Sequence, residues 1–108
     1  MTVYGYVRSA TGSVEQLDEQ RRQIEAFFAA RGQKITEFFA DSASALSHPT
    51  DRPGYGEMSS TLREGDTVAV TDFVRIARDL AELIDAARAL DRMGVKLVIA
   101  SDDCGVEG

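Results

Sequence analysis

Residues 3–8, VYGYVR, decide the fold, because this β-branched and aromatic run is typical of a buried strand. Residues 13–16 (SVEQ) follow it in the form of a helix capping box, with Ser13 as the cap. Apolar residues then recur at helical spacing up to a closing glycine: Leu17, Ile24, Phe28 and Gly32. A strand that leads directly into an amphipathic helix predicts the first half of a βαβ unit.

The same alternation continues along the chain. Residues 34–40 (KITEFFA) predict a second strand, residues 67–73 (TVAVTDF) a third, and residues 95–100 (VKLVIA) a fourth. Strands that alternate with amphipathic helices predict an α/β fold. We therefore expect a layered βαβ domain with a mostly parallel sheet of four strands or slightly more.

Two further helices separate these strands. One is predicted to begin at Asp51, which acts as its cap, with Pro53 tolerated in its first turn. The other is predicted from one apolar face that ends at a glycine: Leu80, Leu83, Ile84, Ala87, Leu90 and Gly94. Residues 41–51 (DSASALSHPTD) lie before the first of them and show no apolar period. Such a long loop in a small domain is uncommon unless it has a function.

The chain has 108 residues, which is room for one domain. Its apolar share of 44% and charged share of 28% exclude a disordered chain and a collagen-like rod. No apolar run approaches the ~20 residues that span a bilayer, and no secretory signal is recognisable, so we expect no membrane partner. A single cysteine, Cys104, is consistent with a cytoplasmic location.

The net charge of −6 argues against a basic nucleic-acid-binding surface. The basic residues are nevertheless mostly arginines, and several follow the predicted strands or end the long loop: Arg8, Arg52, Arg75 and Arg78. Ligands of α/β sheets bind outside the carboxyl ends of the strands. These arginines are therefore either solvated surface residues or an anion site on one rim, for which a phosphodiester is the obvious anion.

Several segments in this order carry a family resemblance: residues 4–11 (YGYVRSAT), 17–20 (LDEQ), 39–44 (FADSAS), 51–54 (DRPG), 63–66 (REGD) and 73–79 (FVRIARD). The chain resembles the catalytic domain of the serine recombinases, the resolvase and invertase family, over about residues 3–100. No single segment is diagnostic. Together, and in this order along the chain, they are specific for that family.

The resemblance implies DNA chemistry. In that family a serine after the first strand attacks a DNA phosphodiester, forms a 5′-phosphoserine link and later reverses it onto a new strand, without a metal or other cofactor. The residues that match positions around the scissile phosphate are Arg8, Arg52, Arg75 and Arg78. Supporting positions are matched by Asp41, Ser44 and Gln20.

Two positions depart from the family pattern. Ala10 occupies the usual nucleophile position, and a serine stands one place earlier, at Ser9. Because successive side chains of a strand point to opposite faces, Ser9 is expected to face away from the phosphate unless the following loop re-registers. Val74 stands where an aspartate is common. Asp72, two residues earlier on the predicted strand, is a poor substitute.

The resemblance also predicts the organisation of the chain. Residues 1–100 are expected to form the catalytic-type domain, and residues 101–108 a polar tail or the start of a dimerisation and DNA-binding region. DNA contact would depend on that region or on a separate one. With a dimerisation helix the protein would be a homodimer or homotetramer.

Three functional hypotheses remain open. The first is an active recombinase module that cleaves DNA with Ser9 as nucleophile and Arg8, Arg52, Arg75 and Arg78 at the phosphate. The second is an inactive pseudo-recombinase that regulates or oligomerises with active relatives. The third is a small α/β domain that binds phosphate or a nucleotide.

Overall fold

The computed structural model describes residues 2–43, residue 47 and residues 51–100. Strand and helix alternate through these residues as β1 (Val3–Ser9), α1 (Val14–Ala29), β2 (Glu37–Ser42), α2 (Pro53–Thr61), β3 (Thr67–Val70), α3 (Leu80–Arg92) and β4 (Lys96–Ile99). A short 3₁₀ turn, Phe73–Arg75, lies between β3 and α3. The predicted α/β fold is confirmed.

The strands of the described residues form one sheet in the order β2-β1-β3-β4, and every neighbouring pair is parallel. β1 pairs with β2 over its length, from Tyr4 with Glu37 to Ser9 with Ser42. Its pairing with β3 is shorter and ends at Gly5 with Ala69. The carboxyl end of β1 therefore extends beyond its partner on the β3 side.

Alternation along β1 divides the core between two faces of the sheet. Val3 and Val7 pack with α1 residues Ile24 and Phe28. Tyr4 and Tyr6 belong to the opposite cluster, which contains Tyr55 and Met58 of α2, the α2 C-cap residue Leu62, and Leu90 of α3. A strand buried on both faces explains the continuous apolar and aromatic run from which it was predicted.

The predicted boundaries of β2 and β3 are wrong, whereas those of β1 and β4 agree with the structure to within one residue. β2 begins at Glu37 and continues through Asp41 and Ser42, because its pairing register with β1 sets both ends. β3 ends at Val70 and not at residue 73, because the chain turns into the 3₁₀ segment beyond its paired residues. Asp72 consequently does not share a strand face with Val74.

The cap of α2 also differs from the prediction. Arg52, not Asp51, is the N-cap residue, and Pro53 is the first helical residue. A residue before proline is driven to extended backbone, and Arg52 has φ −93° and ψ 126°. Ser13 caps α1 as predicted, with its hydroxyl accepting from the backbone N–H of Gln16.

The predicted apolar face of α3 is buried only in part. Leu83 and Leu90 pack against the core, whereas Leu80 and Ile84 are 66% and 42% exposed. No helix in the described ranges combines the length and the apolar character that a membrane span needs.

Candidate functional site

Three arginines meet at the carboxyl edge of the sheet. Arg8 lies near the end of β1, Arg52 precedes α2, and Arg75 ends the 3₁₀ turn. The carbonyl oxygen of Arg75 accepts from both of the others, from Nε of Arg8 at 3.2 Å and from Nη1 of Arg52 at 2.8 Å. We call Arg8, Arg52 and Arg75 the arginine cluster.

Backbone carbonyls hold the guanidinium of Arg8. Its Nη1 donates to the carbonyl of Ala43 and its Nη2 to that of Val74, each at 2.7 Å. The residue is 4% exposed. Burial, and then the positive charges of Arg52 and Arg75, lower the pKa of Arg8 below its ordinary value. Carbonyl dipoles stabilise this charge without neutralising it, so the cluster favours an anion nearby.

Arg52 is held in a similar way and is 1% exposed. Its Nε donates to the hydroxyl of Ser47 at 3.0 Å, and its Nη2 donates to the Ser47 carbonyl at 2.9 Å. The sequence did not single out Ser47. Its carbonyl contact leaves no signature in the residue type, and its hydroxyl is one of several in a serine-rich loop.

Arg75 is the most open member of the cluster, with 27% of its side chain exposed. Its Nη1 donates to the Arg8 carbonyl at a long 3.3 Å, and its Nε lies 3.6 Å from Oδ1 of Asp72, beyond hydrogen-bond distance. Of the three guanidinium groups it is therefore the one best placed to bind a ligand from solvent.

Arg78 is placed differently. More than half of its side chain is exposed, and Nε lies 3.8 Å from carboxylate oxygens of Asp79 and Glu82 at the start of α3. Its position follows from the early end of β3, which puts Arg78 beyond the 3₁₀ turn. The structure thus brings together three of the four arginines expected on one rim, and a role for Arg78 at a phosphate stays a prediction.

Asp41 links β2 to α2. Its Oδ1 accepts from the backbone N–H of Gly54 at 2.7 Å, and its Oδ2 accepts from the N–H of Tyr55 and the hydroxyl of Tyr6, both at 2.8 Å. The carboxylate thus satisfies unpaired N–H groups at the start of α2, where negative charge is favoured. Burial raises the pKa of Tyr6 well above its ordinary value, so the phenol stays a donor.

Gln20 supports the end of β1. Its Nε2 donates to the carbonyl of Arg8 at 2.8 Å, and its Oε1 accepts from the N–H of Arg8 at 3.0 Å. Gln20 therefore positions the backbone that carries a cluster residue. Ser44, the remaining predicted supporting residue, lies outside the described residues.

The hydroxyl of Ser9 is committed to α1. Ser9 is 1% exposed, and its Oγ donates to Oε1 of Gln16 at 2.7 Å and accepts from the N–H of Ser13 at 3.1 Å. Strand alternation places it on the face opposite the Arg8 side chain. Ala10, the first residue after the strand, is exposed and carries no hydroxyl.

Val74 takes part through its backbone. Its carbonyl accepts from Arg8, while the residue as a whole is 37% exposed. Among the described residues there is no cluster of histidine, cysteine, aspartate and glutamate side chains that would hold a metal ion.

Comparison with known proteins identifies the family. The family model described as "Resolvase, N terminal domain" matches residues 3–107. The chain belongs to the resolvase family. The resolvase domain is 32% identical over 108 residues to the transposon Tn3 resolvase of Escherichia coli. That alignment covers all of this chain and 55% of the Tn3 resolvase. It is 36% identical over 93 residues to the transposon Tn501 resolvase of Pseudomonas aeruginosa, covering 86% of this chain and 44% of that protein.

Solved structures share the fold. The resolvase domain matches the catalytic domain of ISC1926 TnpA, an IS607-like serine recombinase, with a TM-score of 0.74 and 24% identity over 92% of this chain and 69% of that one. It matches the N-terminal catalytic domain of TP901-1 integrase with a TM-score of 0.73 and 17% identity, over 90% of this chain and 76% of that one. The chain spans about half the length of the curated relatives it matches.

Proposed function

We propose that this resolvase domain acts in site-specific DNA recombination as a phosphate-binding module that does not itself cleave DNA. It would bind the DNA backbone through its arginine cluster and would regulate or oligomerise with cleaving relatives. DNA would be gripped through a region outside this domain, and the protein would act in the cytoplasm as a homo-oligomer or mixed oligomer.

The position of the Ser9 hydroxyl carries this proposal. A nucleophile must lie about 3–3.5 Å from the reacting atom, and a misplacement of about 1 Å can cost ~10²-fold in rate. Ser9 is buried, points toward α1 and is bonded to Gln16 and Ser13. Ala10, at the position where the family carries its nucleophile, has no group that can attack phosphorus.

The arginine cluster supports the binding part of the proposal. Arg8 and Arg52 hold buried positive charges on backbone carbonyls, and Arg75 offers a partly exposed guanidinium beside them. Holding like charges together is costly without an anion to receive them. A phosphodiester supplies that anion, and guanidinium groups bind its oxygens well.

A cleaving enzyme is the alternative. It requires the loop after β1 to re-register so that Ser9 leaves Gln16 and the Ser13 N–H and turns toward the arginine cluster. Attack would then form the phosphoserine ester and release a 3′-hydroxyl, as the family resemblance implies.

The decisive experiment is to incubate the protein with supercoiled DNA, denature it and look for a covalent protein–DNA adduct. We expect no adduct from the wild type or from Ser9→Ala. An adduct in the wild type that disappears in Ser9→Ala would refute the non-cleaving proposal. Ala10→Ser, measured in parallel, tests whether the rest of the site still supports the reaction.

Phosphate binding is tested separately by NMR titration with inorganic phosphate at low ionic strength. We expect chemical-shift changes around Ala43 and Gly54 that weaken strongly in Arg75→Ala and little in Arg88→Ala, a control at an exposed arginine of α3. Saturable binding of a nucleotide at the arginine cluster, with no binding to duplex DNA by the full-length protein, would favour a small anion-binding domain instead.

A further inference from the structure

A polar cleft of about 290 Å³ opens at the carboxyl edge of the sheet on the α1 side. One wall consists of side chains from the first half of α1: Gln16, Glu19, Gln20 and Gln23. The other wall consists of residues that follow β3: Thr71, Asp72 and Arg75. Its volume is near the lower end of the ~300–1,000 Å³ that small-molecule pockets occupy, which suits a ligand of one ring system.

The cleft lies where the topology of the sheet reverses. From β1 the chain passes through α1 to β2 on one side, whereas β3 and β4 lie on the other side of β1. α1 packs on one face of the sheet, and α2 and α3 pack on the opposite face. In open α/β sheets, the crevice beside the carboxyl ends of the strands at this reversal is where ligands bind.

Buried polar atoms in the second wall have no hydrogen-bond partner among the described residues. They are Oγ1 of Thr71, and Oδ1 of Asp72 and Nε of Arg75, which face each other as an ion pair at 3.6 Å. Thr71 is only 5% exposed, so its hydroxyl is a buried group at the edge of a polar cleft. Such groups are nearly always satisfied in folded proteins, and a ligand that adjusts this wall would satisfy them.

The charges of the cleft disfavour a free anion. Glu19 and Asp72 are carboxylates, and among the described residues Arg75 is the one positively charged residue of the lining. The remaining lining side chains are three amides and one hydroxyl. Gln20 uses both of its amide groups on the Arg8 backbone, Gln16 accepts from Ser9 through Oε1, and Gln23 donates to the Ala100 carbonyl through Nε2. These bonds do not use Nε2 of Gln16, a donor, or Oε1 of Gln23, an acceptor. The cleft therefore suits a neutral group with adjacent hydrogen-bond donors and acceptors, which is the character of a nucleobase edge.

We propose that this cleft binds an unstacked nucleobase. The inference rests on the proposed function, because Arg75 belongs both to the cleft and to the arginine cluster. A DNA strand with one phosphate at the cluster would place a neighbouring nucleotide beside the cleft. Asp72 would accept a hydrogen bond from the edge of the base and Arg75 would donate one to it. The hydroxyl of Thr71 would form a further hydrogen bond to the same edge.

The test uses probes that separate base from phosphate. The 108-residue domain is titrated by NMR with thymidine and with deoxyguanosine, which carry no phosphate, and independently with inorganic phosphate. We expect the nucleosides to shift the amides of Thr71 and Gln23, and phosphate to shift those of Ala43 and Gly54. A hydrogen bond between uncharged groups contributes modestly to the free energy of binding, so Thr71→Val should weaken nucleoside binding about two- to tenfold.

Thr61→Val is the matched control, because Thr61 lies on α2 and donates to the Glu57 carbonyl away from the cleft. Absence of nucleoside-induced shifts at Thr71 and Gln23 in the wild type would overturn the inference, as would phosphate entering the cleft. These wild-type titrations decide the matter even if Thr71→Val fails to fold. If nucleosides bind in the cleft but phosphate does not bind at the arginine cluster, the nucleobase inference stands. Only the proposed function is then contradicted.

Discussion

Gln20 binds both backbone polar groups of Arg8, accepting from its N–H and donating to its carbonyl. β1 pairs with β3 only as far as Gly5 with Ala69, so within the described part of the chain the end of β1 has no strand partner on that side. The amide of Gln20, which is 5% exposed, supplies the donor and acceptor that a strand would have supplied. A helix side chain thereby holds the strand end that carries Arg8.

Replacing Gln20 with leucine should destabilise the domain. The buried N–H of Arg8 would lose its partner, at a cost of about 1–3 kcal/mol. Chemical denaturation measures the loss, and Glu25→Leu, at an exposed position of the same helix, should change stability by less than about 0.5 kcal/mol. Equal stability of the two variants would show that the two hydrogen bonds between the Gln20 amide and the Arg8 backbone contribute nothing to the free energy of unfolding.

Asp41→Asn should destabilise the start of α2. An asparagine offers one oxygen where the carboxylate accepts from Gly54, Tyr55 and Tyr6, so at least one donor loses its acceptor. We expect a loss of about 1–3 kcal/mol by thermal or chemical denaturation. Asp51→Asn makes the same chemical change at an exposed residue that does not cap the helix, and we expect almost no effect.

Two glycines of α2 should respond to alanine in opposite directions. A Cβ on Gly54 would overlap the carbonyl of Ala40 and lie 2.9 Å from Oδ1 of Asp41, so Gly54→Ala should be strongly destabilising. A Cβ on Gly56 would meet nothing within 4 Å, and alanine favours a helix interior over glycine by about 0.5–1 kcal/mol. Gly56→Ala should therefore raise the free energy of unfolding, and a loss of stability in that variant would contradict the packing described for α2.

Stability should fall at alkaline pH in a way that depends on Tyr6. Burial raises the pKa of Tyr6 above its unfolded value of about 10, an effect that Arg52 opposes and Asp41 reinforces. The folded state therefore retains a proton that the unfolded state releases. The stabilisation is complete below pH ~10 and is lost as pH rises from there toward the folded pKa.

Denaturation midpoints measured from about pH 9 to about pH 11 should decline less steeply in Tyr6→Phe than in the wild type. Part of the decline should remain, because burial also raises the pKa of Tyr55. Identical slopes in the wild type and Tyr6→Phe would show that the phenol of Tyr6 ionises equally well in the folded protein.

The alternation of strands and helices was predictable because β1 is apolar and aromatic on both faces and α1 has a capped, periodic sequence. The capping role of Ser13 was also predictable, because capping is an interaction between residues close together in the chain. The ends of β2 and β3 were not predictable. Pairing register decides them, and register depends on strands that are distant in the chain.

The sequence by itself determined the α/β fold, because strand and helix patterns are local, and the order of its motifs carried the resemblance to the resolvase family. Only the tertiary structure decided that Arg8 and Arg52 meet at one carbonyl of Arg75 while Arg78 pairs with the start of α3. It also decided that the Ser9 hydroxyl bonds to α1. These contacts join segments far apart in the chain and use backbone atoms, which every residue type carries alike.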